Sequence, residues 1–190
     1  MNKFFLVLVS STLLSAPVLA AEISQARVES SRNAVKELQG ALVTELQAAI
    51  QAGGPINAID VCNKRAAAIA ADISQKKGWK IGRTSLKLRN ANNAPDAWEK
   101  KVLKDFEKRK AAGEDPTKLE HAEVVTQDGK QVFRYMKALP IPEGAPCLKC
   151  HGDKIEPAVT AKLKALYPND QATGYKQGDL RGAVTITQPF

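Results

Sequence analysis

Apolar residues in the first third of the chain recur at helical spacing. From Ile23 to Ile50 they fall on one helical face, at Val28, Val35, Leu38, Leu42 and Leu46. This spacing predicts an amphipathic helix. The run Ala52-Gly53-Gly54-Pro55 ends that helix and starts a second, which extends to about Gln75 before Gly78. The pattern therefore predicts a helical hairpin, with Cys62 on the apolar face of its second helix.

The rest of the chain mixes short strands with helices. Alternating apolar and polar residues predict a strand over 79–84, and two apolar runs, 122–125 and 131–139, flank Asp128-Gly129. An Asp-Gly pair between such runs is typical of a β-hairpin turn. Charged residues with an apolar stripe predict a helix over 96–112, and a further helix covers 155–167. The Asn-rich stretch 89–95 and residues 168–182 are predicted loops, and 181–187 is the closing strand.

The N-terminus has the pattern of an export signal. Lys3 is the only charged residue before Glu22, and an apolar stretch follows it up to Val18-Leu19-Ala20-Ala21. A basic start, an apolar stretch and small residues are typical of a secretory signal peptide. We expect cleavage after Ala20, or alternatively after Ala21, a periplasmic location and one mature domain over residues 21–190. Ser10-Ser11-Thr12 and Pro17 interrupt the apolar stretch, and we expect no stable membrane span after cleavage.

Composition narrows the possible partners. The 190 residues contain 28 Lys and Arg against 20 Asp and Glu, a net charge of +8. The basic residues are scattered and do not alternate with aromatic residues that could stack on bases. We therefore expect no nucleic-acid partner, and interpret the charge as a solvated surface.

The chemistry concentrates in Cys147-Leu148-Lys149-Cys150-His151. Two thiols and a following imidazole are what covalent haem attachment requires, because each thiol bonds one vinyl group and the His ligates the iron. A zinc site would need a second ligand pair, yet only Cys62 and His121 remain among the Cys and His residues. A redox dithiol usually follows a strand at a helix start, and a disulfide here would close a very tight loop. The motif favours one covalent haem c.

The residue opposite His151 on the iron stays open at this point. Cys62, His121, Met136 and a Lys are the candidates, since cytochromes c use Met or His and a Cys thiolate lowers the reduction potential. Met136 suits a core position and His121 lies in a charged turn. Cys62 is the third of three cysteines, and haem attachment would leave it unpaired.

Longer motifs resemble a family of secreted bacterial monohaem c-type proteins, long catalogued as a domain of unknown function. The resemblance rests on the run from Ile81 to Glu99, on Tyr167–Tyr175 with Gly178–Ala183, and on Ala58–Cys62. It covers nearly the whole mature chain. Ala91 departs from it, since the family often has Pro at this place.

The resemblance implies an α+β fold in which an N-terminal helical hairpin packs on a PAS-like antiparallel sheet, with haem between them. It also implies axial ligation by His151 and Cys62, and a role in redox sensing or electron transfer with a redox partner protein. Arg83, Arg89 and Arg181 are candidates for pairing with haem propionates or with Asp170 and Asp179, since the guanidinium fork matches carboxylates.

Three functions follow as hypotheses. The first is a redox protein that is not an enzyme, and the second is a haem-based sensor that binds a gas or small molecule once an axial ligand leaves. The third is a peroxidase, which would want a distal His or Arg acid–base pair near an open iron position, and His121 is the only spare His.

Overall fold

The computed structural model describes residues 23–190 and begins with a kinked pair of helices. The predicted signal peptide over 1–20 therefore lies outside the described residues. Helix α1 spans Gln25–Asp60, continues through a π-helical turn, Val61–Arg65, and is followed by α2, Ala66–Lys77. The α-helical path breaks inside α1 at Gly53 and Gly54, immediately before Pro55. The predicted end of the first helix is thus confirmed.

The two halves of this pair run antiparallel. Arg65 pairs with Glu45, and Lys77 pairs with Glu37, each at 2.9 Å. Gly54 adopts φ 72° and ψ −164°. Only glycine populates that region without strain, so the reversal of direction depends on it. The predicted helical hairpin is confirmed.

Four antiparallel strands form the sheet. They are β1 (Lys80–Thr84), β2 (Glu120–Gln127), β3 (Lys130–Pro140) and β4 (Leu180–Pro189), in the spatial order β1-β4-β3-β2. Asp128 and Gly129 connect β2 to β3 with φ values of 50° and 75°. Two positive φ angles are the mark of the type I′ turn, whose twist suits a hairpin.

Each face of the sheet has its own core. The helical hairpin covers one face, where Val35, Leu38 and Ile73 pack against Phe133 and Tyr135. Helix α3 (Ala97–Ala111) covers the other. Its core consists of Val102, Leu103, Phe106, Leu119, Met136, Ala138, Leu180 and Ala183. Successive side chains of β3 therefore pack into the cores on opposite faces of the sheet, as the two-residue repeat of a strand requires.

Two short helices follow β3. Helix α4 is a single turn, Leu148–His151, and α5 spans Pro157–Leu166. Turn α4 was not predicted, because four residues are too few for a helical repeat to be visible. The predicted α+β fold, a helical hairpin on a PAS-like antiparallel sheet, is confirmed. Among residues 23–190 no helix is long and apolar enough to cross a membrane.

Candidate cofactor site

A cavity of about 240 Å³ lies between the helical hairpin and the end of the sheet beside α4. The hairpin supplies an apolar wall that includes Leu38, Leu42, Leu46, Ile50 and Ile59. Most polar groups lie on the opposite side, whereas Cys62 comes from the hairpin itself. The side chains predicted from sequence that line the cavity are Cys62, Arg83, Arg89, Cys147, Cys150, His151 and Arg181. The fold thus brings every predicted cofactor-binding residue to one space.

The five-residue Cys-x-x-Cys-His motif lines one side of this cavity. Its turn is closed by hydrogen bonds from the backbone N–H groups of Cys150 and His151 to the carbonyl of Cys147, at 3.2 and 2.9 Å. Gly152 ends the turn, and a Cβ there would lie 2.6 Å from the Leu148 carbonyl oxygen. Only glycine fits this approach without a shift of the backbone.

The two motif thiols rest on different small cores. Cys147 packs against a group containing Ile141, Ala172 and Tyr175, whereas Cys150 packs against Ile59, Val159, Leu163 and Tyr167. Burial raises the pKa of both thiols. The motif is therefore anchored between the C-terminal loop and the junction of α1 with α5.

The imidazole of His151 is held at one nitrogen. Its Nδ1 lies 2.8 Å from the Ala172 carbonyl oxygen, and a carbonyl can only accept, so Nδ1 carries the proton. Arg181 Nε lies 3.2 Å from the same nitrogen. A protonated Nδ1 cannot accept from it, so we treat Arg181 as a neighbouring charge. Burial, with Arg181 and Arg89 beside it, lowers the pKa of His151 well below its usual value. His151 is neutral, and its Nε2 remains an acceptor.

Cys62 faces the motif from the helical hairpin. It lies in the π-helical turn, where the Ala66 N–H reaches back five residues to the Val61 carbonyl. The sequence predicted a buried position, yet the side chain is exposed to the cavity that it lines. The cavity walls still desolvate the thiol and raise its pKa, against the opposing effect of Arg83, Arg89 and Arg181. π-Helical turns occur often at functional sites.

The arginines of the site differ in their partners. Arg89 forms a buried ion pair with Asp170 at 2.9 Å, one of the two pairings expected from sequence. Asp179, the other expected acid, pairs instead with Lys110. Arg181 donates to the Ser85 hydroxyl at 3.2 Å, and burial lowers its pKa to about 10. Arg83 projects from β1 into the cavity with no hydrogen-bonded partner among the described residues.

Two candidate iron ligands lie elsewhere. Met136 is fully buried in the core beneath α3. His121, opposite it on β2, contacts Glu123 at 3.3 Å and stacks at a tilt on Trp98. Neither residue lines the cavity. Among residues 23–190, Cys62 is the only sequence-predicted ligand outside the motif that lines the cavity.

The donors around the cavity do not form a compact metal cage. Within residues 23–190 no three His, Cys, Asp or Glu side chains converge closely enough to hold a metal ion. The thiols and the imidazole instead lie around a space, as ligands to a large planar group would. Sequence reasoning missed the Ala172 carbonyl, because a backbone acceptor carries no signal in the residue types.

Comparison with known proteins agrees with this architecture. A family model described as Tll0287-like (Tll0287) matches residues 13–189. The chain belongs to the Tll0287-like family. The family relationship predicted from the motifs is therefore confirmed.

The Tll0287-like fold is also seen in a solved structure. The crystal structure of the cyanobacterial haem protein Tll0287 matches with a TM-score of 0.62 and 23% sequence identity, over 88% of this chain and 97% of that one. At this identity the likeness establishes the fold. No curated protein matches the chain.

Proposed function

We propose that the chain is an exported, periplasmic c-type cytochrome with one haem, held through thioethers to Cys147 and Cys150. His151 and Cys62 would be the axial ligands, and the protein would act in redox sensing or electron transfer with a redox partner protein. One observation carries the proposal: the fold brings Cys62 to the same cavity as the motif. The family relationship supports haem binding, since the structural relative is described as a haem protein.

The chemistry of the donor set fits haem c. Two thiols and an imidazole belong to one turn, and the remaining thiol comes from the helical hairpin. The hairpin wall beside them is apolar, as a porphyrin face requires. When bound, haem would supply a one-electron ferric–ferrous couple. The Nδ1–H bond to Ala172 leaves His151 Nε2 unprotonated for ligation, with nitrogens of Arg89 and Arg181 each 3.5 Å from it. A Cys62 thiolate would lower the potential.

The charge of the site supports the same group. Arg83, Arg89 and Arg181 line the cavity, but Asp170 is the only carboxylate that pairs with any of them among the described residues. This leaves two guanidinium charges in a desolvated place without a counter-charge, which is costly. The two propionates of haem would balance them, and Arg83 is the side chain with no competing partner in the part of the chain that the structure describes.

A haem-based sensor for a gas or small molecule is the second candidate. The observation that favours it is the position of Cys62 on a π-helical turn, with its side chain exposed to the cavity. A change in the register of this turn would move Cys62 and could open a binding position for a small molecule. A peroxidase is not favoured, because His121 lies beside Trp98 and away from the cavity. We therefore propose a protein without enzymatic activity.

Absorption spectroscopy of the full chain, co-expressed with the haem-attachment machinery, tests the proposal. We expect a low-spin ferric spectrum and a pyridine haemochrome typical of two thioether bonds. Cys150→Ser should shift the haemochrome towards a single thioether, and Cys62→Ala should abolish the low-spin ferric spectrum.

Met136→Leu is the matched control, and it should leave all bands in place. Absence of covalent haem in the unmodified chain would refute the cytochrome. An unchanged spectrum in Cys62→Ala would remove Cys62 as a ligand. Carbon monoxide binding by the reduced, unmodified protein would favour the sensor over a closed electron carrier.

A further inference from the structure

The carbonyl that holds His151 is itself held by a buried ion pair. Asp170 Oδ1 accepts from the Ala172 N–H at 2.8 Å, and Asp170 Oδ2 accepts from Arg89 Nε at 3.0 Å. Arg89 Nη2 also donates to the Ala172 carbonyl at 3.2 Å and to the Cys150 carbonyl at 2.6 Å. One guanidinium therefore joins the motif, the acid and the carbonyl acceptor.

This pair is more enclosed than a surface salt bridge. The side chains of Arg89 and Asp170 are only 8% and 11% exposed. The segment that carries Ala172 is tied on both sides, by Gln171 N–H to the Leu88 carbonyl at 2.7 Å and by Tyr175 N–H to the His151 carbonyl at 2.9 Å. The Ala172 carbonyl thus has little freedom to turn away from the imidazole.

We propose that Arg89 and Asp170 are positioning residues for His151: they aim the Ala172 carbonyl at Nδ1 and so fix the tautomer whose Nε2 can ligate iron. Arg89, predicted from sequence as a propionate partner, thereby takes a different role. The proposal rests on the proposed function only for the identity of the metal. A hydrogen bond from the far nitrogen makes a ligating imidazole a stronger donor, and partners of this kind control metal sites through their ligands.

The test compares two buried arginine–carboxylate pairs. Asp170→Asn keeps an oxygen for the Ala172 N–H but presents an amide in place of the charge that Arg89 needs. Glu99→Gln is the matched control, because Glu99 of α3 pairs with Arg134 at 3.1 Å, and the two side chains are 11% and 7% exposed. Both variants break a buried pair, yet only Asp170 is connected to the imidazole.

Two readouts separate positioning from general support. In haem-free protein, the ¹⁵N shifts of the imidazole report which nitrogen of His151 carries the proton. In haem-loaded protein, the midpoint potential reports the donor strength of the ligand. We expect Asp170→Asn to reduce the Nδ1–H population and to raise the potential. Glu99→Gln should change neither, despite a comparable loss of stability.

Arg89→Lys provides a second variant if Asp170→Asn does not fold. It retains the charge but lacks the fork, so we expect the same direction of change with smaller size. An unmodified chain whose His151 carries its proton on Nε2, or an Asp170→Asn variant with unaltered tautomer and potential, would overturn the positioning role. Failure of the unmodified chain to take up haem would instead refute the proposed function. The tautomer measurement on haem-free protein would still decide the positioning role of Arg89 and Asp170.

Discussion

Two arginines that project from strands on opposite faces of the sheet differ in their partners. On the α3 face, Arg134 pairs with Asp96 at 2.7 Å and with Glu99 at 3.1 Å, and it lies 4.2 Å from the centre of the Trp98 ring. Only its Nε lacks a partner among the described atoms. On the hairpin face, Arg83 projects into a cavity of about 240 Å³ with no ion pair to any described residue.

This difference distinguishes a face that stabilises the fold from a face prepared for a ligand. The α3 face has balanced charges and a filled core. The cavity end of the hairpin face retains open space and surplus positive charge, both of which cost stability in a protein on its own. Sites that violate the rules of folding are where function is expected.

The largest expected effect comes from breaking the balanced pair. Glu99→Gln leaves Arg134 with a weaker partner in a buried place, and it also removes the carboxylate that accepts from Thr185. Loss of one partner from a buried pair costs about 3–5 kcal/mol when the other charge is left unpaired. Because Asp96 still pairs with Arg134, we expect the lower end, about 3 kcal/mol. Urea denaturation should therefore show a free energy of unfolding lower by about that amount.

Arg83→Gln is the counterpart on the hairpin face. Because Arg83 has no counter-charge among the described residues, its removal should leave the free energy of unfolding of haem-free protein equal or higher. If this variant destabilised haem-free protein as much as Glu99→Gln does, the contrast between the two faces would fail.

The second effect concerns the two candidate ligands on opposite faces. Met136→Ala should destabilise by about 2–5 kcal/mol, since it empties a fully buried position in the α3 core. It should leave the haem spectrum unchanged. Cys62→Ala should change the haem spectrum and leave the free energy of unfolding nearly unchanged. Denaturation and absorption spectra of both variants test this. A spectral change in Met136→Ala alone would point to Met136 as the ligand.

The third effect concerns the hinge of the helical hairpin. Gly54 adopts φ 72° and ψ −164°, and the space that a Cβ would occupy there is open, so strain and not crowding opposes a substitution. Gly54→Ala should cost about 1–3 kcal/mol in thermal or chemical unfolding. Gly40→Ala is the control, because Gly40 lies within regular helix and a Cβ there would also meet open space. It should be neutral or stabilising.

The smallest effect is a pH dependence where the hairpin meets β2. Hydrogen bonds from Arg32, with a further one from Tyr135, hold the pKa of Glu120 below its usual 4.5. A depressed carboxyl pKa adds stability that is present above the usual value and is lost as the pH falls through the folded-state value.

Glu120→Gln should therefore lower stability at pH 7 by about 0.5–1 kcal/mol, because the side chains of Arg32 and Glu120 are 36% and 24% exposed and solvent screens the pair. The difference from the unmodified protein should shrink as the pH falls below 4.5 and vanish once the pH is below the lowered pKa of Glu120, which acid titration of unfolding would follow. A difference that persisted at low pH would show that the carboxylate charge is not responsible.

Much of the fold was visible in local patterns. The helical repeat before Gly53, the stop at Gly54-Pro55 and the Asp128-Gly129 turn all correspond to observed elements. Local patterns suffice there because helix spacing and turn chemistry depend on residues close in sequence. The sequence did not predict the single turn of α4 or the π-helical turn at Cys62, because both depend on packing against distant segments.

The sequence alone predicts covalent haem attachment at Cys147 to His151, since five consecutive residues carry two thiols and an imidazole. Sequence alone could not choose among Cys62, His121 and Met136, which differ in chemistry but give no sign of where they lie. The tertiary structure separates their places: the alternation of strand residues puts Met136 in the α3 core, whereas Cys62, on the π-helical turn, lines the cavity. It also decided that Arg89 faces Asp170 and that a backbone carbonyl holds His151, because only folding brings those atoms together.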